Sequence, residues 1–582
     1  MKEDEFKQLL KGVEQTTLDW DHEYSMAFER IFTDNEQKLT DEQKKLLRWD
    51  VLLFRLRTIN QLDENGKPRF MPMIEYTNGN VFPGLNEFTE DAVKYIGSRA
   101  SEVEHAIIKA RYLDFVWEHG GKENKYEVGK QLVMAYLDAF DMYPLDKDIE
   151  RVDCLQRAVF IATRLEKKKA SELTAASIKK LQEYLALLKS NETYRWIYDS
   201  LKIVLKHSNQ FATKQLKDYV QYIEDGIVYY STKDFNSMIL PSYYELKFDF
   251  LKSIDPKAYS QTDLAEDKAQ ISIRQAEDRT ESTFVQQHFY SEAADLYKKA
   301  GLTKKSDEMV QKIKDIGQDP DYDKQFKSVS HTVRIPQEEI DRMKTILGTG
   351  QRVPMAIGLS PVFIPSWEHA QKLSADLDGK FVAHKIFTTT YLGDNGYPIG
   401  SSANDPDAFV KQQYQTEASL KHTMLSSLLQ EKLTNKEVHF KDFDKHFEKI
   451  KEIDAPTYET VKHGLKRFFA KDYLSANMIL TTQFEDLLRK LMPLFGLNST
   501  MMHPTERDAY SEKTLNRIIE DCRPIVGENM YRLFEYVLVD RKALYLRHKD
   551  AHGFIKLEDN NYYYCVLILQ LYCHLLAGLR RE

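Results

Sequence analysis

Apolar positions recur every three to four residues over most of the chain, the period of a helix that buries one face. In AIIKARYLDFVWEHGG, residues 106–121, Ile107, Ala110, Tyr112, Leu113, Val116 and Trp117 return to one side, and Gly120-Gly121 closes the segment. YEVGKQLVMAYLDAFDMYP, DCLQRAVFIATRL and SIKKLQEYLALL repeat the pattern. Between 331 and 454 the character changes. LGTGQRVPMAIGLSPVFIPSWE and TTTYLGDNGYPIGSSANDPDAF concentrate Gly, Pro, Thr and Asn, which predicts turns and extended backbone. From 455 onward helical patterning returns in YETVKHGLKRFFAKDYLSANMILTTQFEDLLRKLMPLFG, which stops at Gly496. A polar loop, then TLNRIIEDCRPIVG and ENMYRLFEYVLVDRKALYL, lead to an apolar stretch at 562–579. The pattern predicts a mainly α protein: an irregular α-solenoid over 1–330, a mixed α/β connecting module or equally a long ordered loop region over 331–454, and a helical bundle over 455–582.

Within the first region, FYSEAADLYKKAGLTKKSDEMVQKI (289–313) reads as two antiparallel helices joined at Gly301. Its Ala293, Ala294, Tyr297 and Ala300 resemble the small and aromatic positions of tetratricopeptide-type hairpins, without a strict period. With 582 residues, 42% apolar and 30% charged, the chain is too long for one core and too apolar to be largely disordered. A net charge of -8 argues against a generic polyanion binder. Residues 460–582, however, hold 18 Lys and Arg against 15 Asp and Glu, the sign a nucleic-acid-handling domain needs. Four cysteines, Cys154, Cys522, Cys565 and Cys573, with no CxxC pair, predict a reducing, cytoplasmic setting and no zinc knuckle. The charged N-terminus predicts no signal peptide. The 562–579 stretch contains Gln570 and His574, so it is expected to be a helix buried in a bundle rather than a membrane span. Tyr562, Tyr563 and Tyr564 at its start are expected in the core or a dimer interface rather than stacked on bases.

Candidate chemistry narrows quickly. No GxxxxGK[ST] and no GxSxG occurs. Glu485-Asp486, with Arg489 and Lys490 four residues on, reads as a solvated helix face. The sequence LRHKDAHGF, 546–554, is different. His548 and His552 have the HxxxH spacing of helical zinc sites, but Lys549 stands where a zinc protease needs its glutamate, so neither metal nor cofactor is expected. The other reading joins Arg547 to His552. Metal-free RNA cleavage needs a base near neutrality for the ribose 2'-hydroxyl and a permanent cation for the phosphate. On one helix, at about 100° per residue, those two side chains diverge by about 140°, which calls for two copies sharing a cleft or for Arg547 in the turn before the helix.

An arginine, a polar residue and a histidine near the last helices of an all-α bundle is the signature of the HEPN superfamily (higher eukaryotes and prokaryotes nucleotide-binding domains). LRHKDAHG resembles an uncharacterised HEPN-related family marked by Arg-Asn-x-x-x-His-Gly, with His548 in place of the asparagine. FFAKDYLSANMILTTQFEDLLRKL (468–491) resembles that family's first bundle helices, and IKARYLDFVW (108–117) its upstream helical region. The resemblance implies a homodimeric, metal-independent endoribonuclease leaving a 2',3'-cyclic phosphate, cleaving RNA such as tRNA in phage defence or a toxin-like role. Arg547 would stabilise the transition-state phosphate, His552 would transfer protons, and His548 would orient one or the other. The alternative is a noncatalytic helical adaptor that dimerises through the bundle and binds a protein partner on its solenoid.

Overall fold

The computed structural model describes every residue except 19, 60–67, 77–78, 122–123, 166–170, 320–321, 326–333, 379, 381–387, 394–395, 397, 404, 504–508, 555–560 and 580–582. The chain is mainly α, with four two-stranded antiparallel sheets among the described residues. It divides into two units, Met1–Lys312 and Ile313–Glu582, each with its own hydrophobic core.

In the first unit helices pack mainly on their sequence neighbours: Ala106–His119 on Lys125–Met142, the latter on Asp148–Leu165, and Gln261–Glu277 on Thr283–Lys299. Ala106–His119 ends at Gly120 as the sequence predicts, and there a Cβ would lie 2.4 Å from the Val116 carbonyl oxygen. Gly301, at φ 77°, separates Thr283–Lys299 from Thr303–Gly317, and Ser306 Oγ donates to Ala294 O at 3.0 Å. Two charged networks are sunk in this core. Asp114 accepts from Arg69, Arg157 and Tyr136, while Arg69 also donates to Asp153 Oδ2 at 2.6 Å. Asp50 accepts from Tyr95 at 2.7 Å and Tyr112 at 2.8 Å. Burial, only partly opposed by Arg99 and the two tyrosines, lifts the Asp50 carboxyl to about 6.

In the second unit the terminal helix, Tyr562–Gly578, is buried nearly all round. Its polar groups are matched to neighbouring backbone: Gln570 Nε2 donates to Phe363 O at 2.9 Å, Tyr572 OH to Leu480 O at 2.9 Å, and His574 Nδ1 meets Gly358 O at 2.7 Å. Those pairings explain how an apolar helix carries amide and imidazole inside a bundle. Among the described residues no helix is long and apolar enough to cross a membrane. Tyr562 stacks on Phe468 at 5.7 Å between ring centroids and packs against the core.

The 331–454 segment joins this same core through Leu347, Val353, Ile357, Phe363, Leu425 and Phe443. Its hairpin, Thr390–Leu392 paired with Pro398–Ser401, matches the expected extended backbone. VPMAIGL does not: Arg352–Leu359 is a helix. Pro354 sits in its first turn, where no intrahelical N–H is needed, and burial against the terminal helix outweighs the local turn preference. A Cβ on Gly358 would lie 2.4 Å from the Cys573 carbonyl oxygen, so this glycine sets how closely the two backbones meet. The loop before residue 513 also contains an unforeseen hairpin, Thr500–Met502 with Tyr510–Glu512.

Candidate active site

The helix Leu515–Phe534 bends at Gly527, φ 76°, and widens into a π turn at Glu535–Val539, closed by Asp540 N–H donating to Glu535 O at 2.8 Å. Wide turns of this kind interrupt the α register and re-aim the chain beyond them. Asp540 accepts from the backbone N–H of Lys542 at 2.9 Å, and Leu544 N–H returns to Tyr536 O at 3.1 Å. Tyr545, at φ 54°, turns the chain into the six-residue helix Leu546–Ala551. Buried Leu546 anchors that helix. Its far end is a Schellman cap: Gly553 at φ 68° lets Phe554 N–H reach Lys549 O at 2.8 Å and Gly553 N–H reach Asp550 O at 3.3 Å.

Arg547 turns inward from this helix. Its Nε donates to Glu485 Oε2 at 2.7 Å, with both side chains largely covered. Glu485 lies on the Tyr473–Leu491 helix and also holds Arg489 at 2.7 Å, which in turn reaches Glu512 at 3.0 Å. Burial favours the neutral acid, but hydrogen bonds from Arg489 and Arg547 prevail and keep the Glu485 carboxyl below its usual range. Glu485 is thus a bridge between two guanidinium groups rather than a solvated helix-face residue. An i,i+4 pair looks the same in sequence whichever side of the helix it occupies, so no local signal separates the two.

His548 and His552 lie one turn apart with ring centroids 4.1 Å from each other. Tyr545 stacks on His548 at 4.3 Å and Phe554 on His552 at 5.8 Å, making a four-ring layer at the solvent edge. His552 and Phe554 are exposed. Partial burial and the neighbouring His552 both lower the His548 pKa. Asp550, half-buried on the same helix, accepts from Thr482 Oγ1 at 3.4 Å through Oδ2, while its buried Oδ1 has no hydrogen-bond partner among the described residues. Burial raises the Asp550 carboxyl, against the pull of Arg547.

The short helix therefore brings His548 to His552 and sends Arg547 to Glu485. Among the described residues no hydrogen bond or ring contact joins Arg547 to His552. No group of three or more His, Cys, Asp or Glu placed to hold a metal ion occurs among those residues. The arrangement offers two adjoining imidazoles for proton transfer, on the same short helix as a guanidinium held by a carboxylate.

In class, the chain is a mainly α protein whose candidate chemistry is carried by the second unit. Residues 5–174 match a family described as a domain of unknown function (DUF7380). No curated protein and no solved structure matches the chain.

Proposed function

We propose that this protein is a metal-independent endoribonuclease of HEPN type. The observation that carries the reading is the contact of the His548 and His552 rings at the exposed end of a helix whose first turn presents Arg547. A lowered His548 is neutral at physiological pH and suited to accept a proton. In the reaction, a neutral imidazole takes the 2'-hydroxyl proton and the 2'-oxygen attacks phosphorus. The bond from phosphorus to the 5'-oxygen breaks, and an imidazolium protonates that oxygen, leaving a 2',3'-cyclic phosphate and a 5'-hydroxyl. Arg547, fixed through Nε, keeps its Nη edge for the phosphate oxygens as charge builds on them.

Base and acid must approach the phosphorus from opposite sides, and stacked rings of one chain cannot. The proposal therefore includes a homodimer in which the second copy supplies the opposing group. The role in phage defence or as a toxin, and the cytoplasmic location, belong to the same reading. A noncatalytic adaptor is favoured instead by one feature, the part-buried Arg547–Glu485 pair, which would serve structure equally well.

Incubation of the full-length protein with total RNA or tRNA in EDTA decides between them. Cleavage with cyclic-phosphate ends, abolished in Arg547→Ala and in His552→Ala, is the expected result. Intact RNA with the unaltered protein, or equal cutting by the variants, overturns the nuclease.

A further inference from the structure

The first unit contains an open cleft of about 730 Å³, within the roughly 300–1,000 Å³ typical of small-molecule sites. Buried Ile107, Ala110, Ala139 and Val152 give its lining an apolar part. Cations outnumber carboxylates along it, although Arg55 is already paired with Glu29 and Arg69 with Asp114, both outside the lining. Arg55, Arg57, Arg69, Arg111, Arg195 and Lys202 line it against three carboxylates, Glu150, Asp153 and Asp199. This excess stands inside a chain whose overall charge is negative, so it does not follow from composition.

The cations differ in what holds them. Arg69 is committed to Asp153, Asp114 and Ile59 O, so its charge is matched by carboxylates, and Arg111 Nη2 is held by Leu53 O at 2.9 Å. Arg195 at the rim meets Asp199 at 3.3 Å. Arg57 is exposed and makes no ion pair among the described residues. Three ring systems stand at the opening: exposed Trp20 and half-buried Tyr143 and Trp196, with the Arg195 guanidinium 5.6 Å from the Trp196 ring centroid. Indole faces beside guanidinium groups, in a partly apolar lining, suit a ligand that is flat at one end and anionic at the other.

We propose that this cleft binds a nucleotide, its phosphates meeting Arg57, Arg195 and Lys202 and its base lying on Trp196. The proposal is independent of the nuclease reading. Most of the lining falls within residues 5–174, with Arg195, Trp196, Asp199 and Lys202 supplied beyond the matched stretch. The site therefore needs the Tyr194–Lys206 helix as well as the matched domain.

The test is titration of the full-length protein with ATP, AMP, inorganic phosphate, a short single-stranded RNA and an acidic peptide, read by tryptophan fluorescence and calorimetry. A saturable signal with ATP or AMP is expected, much weaker with phosphate alone. The RNA arm separates a free nucleotide from one within a strand, and RNA binding supports the site only where the double charge reversal removes it. Arg57→Glu with Arg195→Glu should weaken binding by at least ~10-fold, and Trp196→Phe should remove most of the quenching. Circular dichroism matching the unaltered protein keeps a folding defect from imitating that loss. No saturable nucleotide or RNA signal, a preference for the peptide, or affinity unchanged by the double charge reversal overturns the proposal.

Discussion

Glu485 determines what Arg547 can do. A carboxylate that accepts from both Arg489 and Arg547 restricts the guanidinium to one orientation, and a group already in place loses less entropy when phosphate arrives. Glu485→Ala should cost about 1 kcal/mol of stability, the scale of a largely covered surface pair, and under the nuclease reading should lower RNA cleavage far more than it lowers the melting temperature. Comparing thermal unfolding with cleavage rate checks the split; a loss of rate in proportion to lost folded protein would mean the pair serves structure only. His548 gives a second prediction. Its pKa is lowered by burial and by His552, so His552→Ala should move it upward, which NMR titration of the ring protons measures directly. Under the nuclease reading, cleavage should rise with pH through the His548 titration, because only the neutral ring accepts a proton.

Among the elements, long amphipathic helices were legible because their apolar period leaves little choice: Ala106–His119 and its glycine stop, the break at Gly301, and the terminal helix with its polar pair all follow from spacing. Arg352–Leu359 was not, because its Pro and Gly report local preference while its helicity is settled by packing on the terminal helix. The Leu546–Ala551 helix of the candidate site is six residues long, shorter than the window in which a period can be seen, and a π turn has no sequence signature of its own. The residues of the candidate site were therefore readable as chemistry, and their partners, Glu485 and Asp550, were not. Gly358→Ala tests the packing argument. The added methyl meets backbone of the terminal helix rather than a movable side chain, so a loss of about 1–3 kcal/mol or more is expected by chemical denaturation.

At the scale of the whole molecule, two cores imply two stability problems. Asp50 belongs to the first. Its carboxyl titrates near 6 when folded and near 3.8 when exposed, so the folded state binds the extra proton between those values. Stability from this group is complete below the lower value and is lost as pH rises through 6, a change on the order of 3 kcal/mol. Asp50→Asn should flatten that slope between pH 4 and 6 in equilibrium unfolding, and an unchanged slope would assign the pH dependence to other carboxyls. Gly358→Ala, by contrast, should increase hydrogen exchange within Ile313–Glu582 and leave the slowest amides of Met1–Lys312 as they were.

The five-residue widening at Glu535–Val539 also bears on how the chain tolerates change. Deleting a single amino acid there would leave one residue fewer between Phe534 and Leu546, so the wide turn and the return bond from Leu544 N–H to Tyr536 O could not both form as they stand, and the guanidinium would be drawn from its carboxylate although every side chain of the candidate stretch remained. Length, as much as identity, is under constraint in that short span, and an engineer should expect it to tolerate substitution better than any change of count.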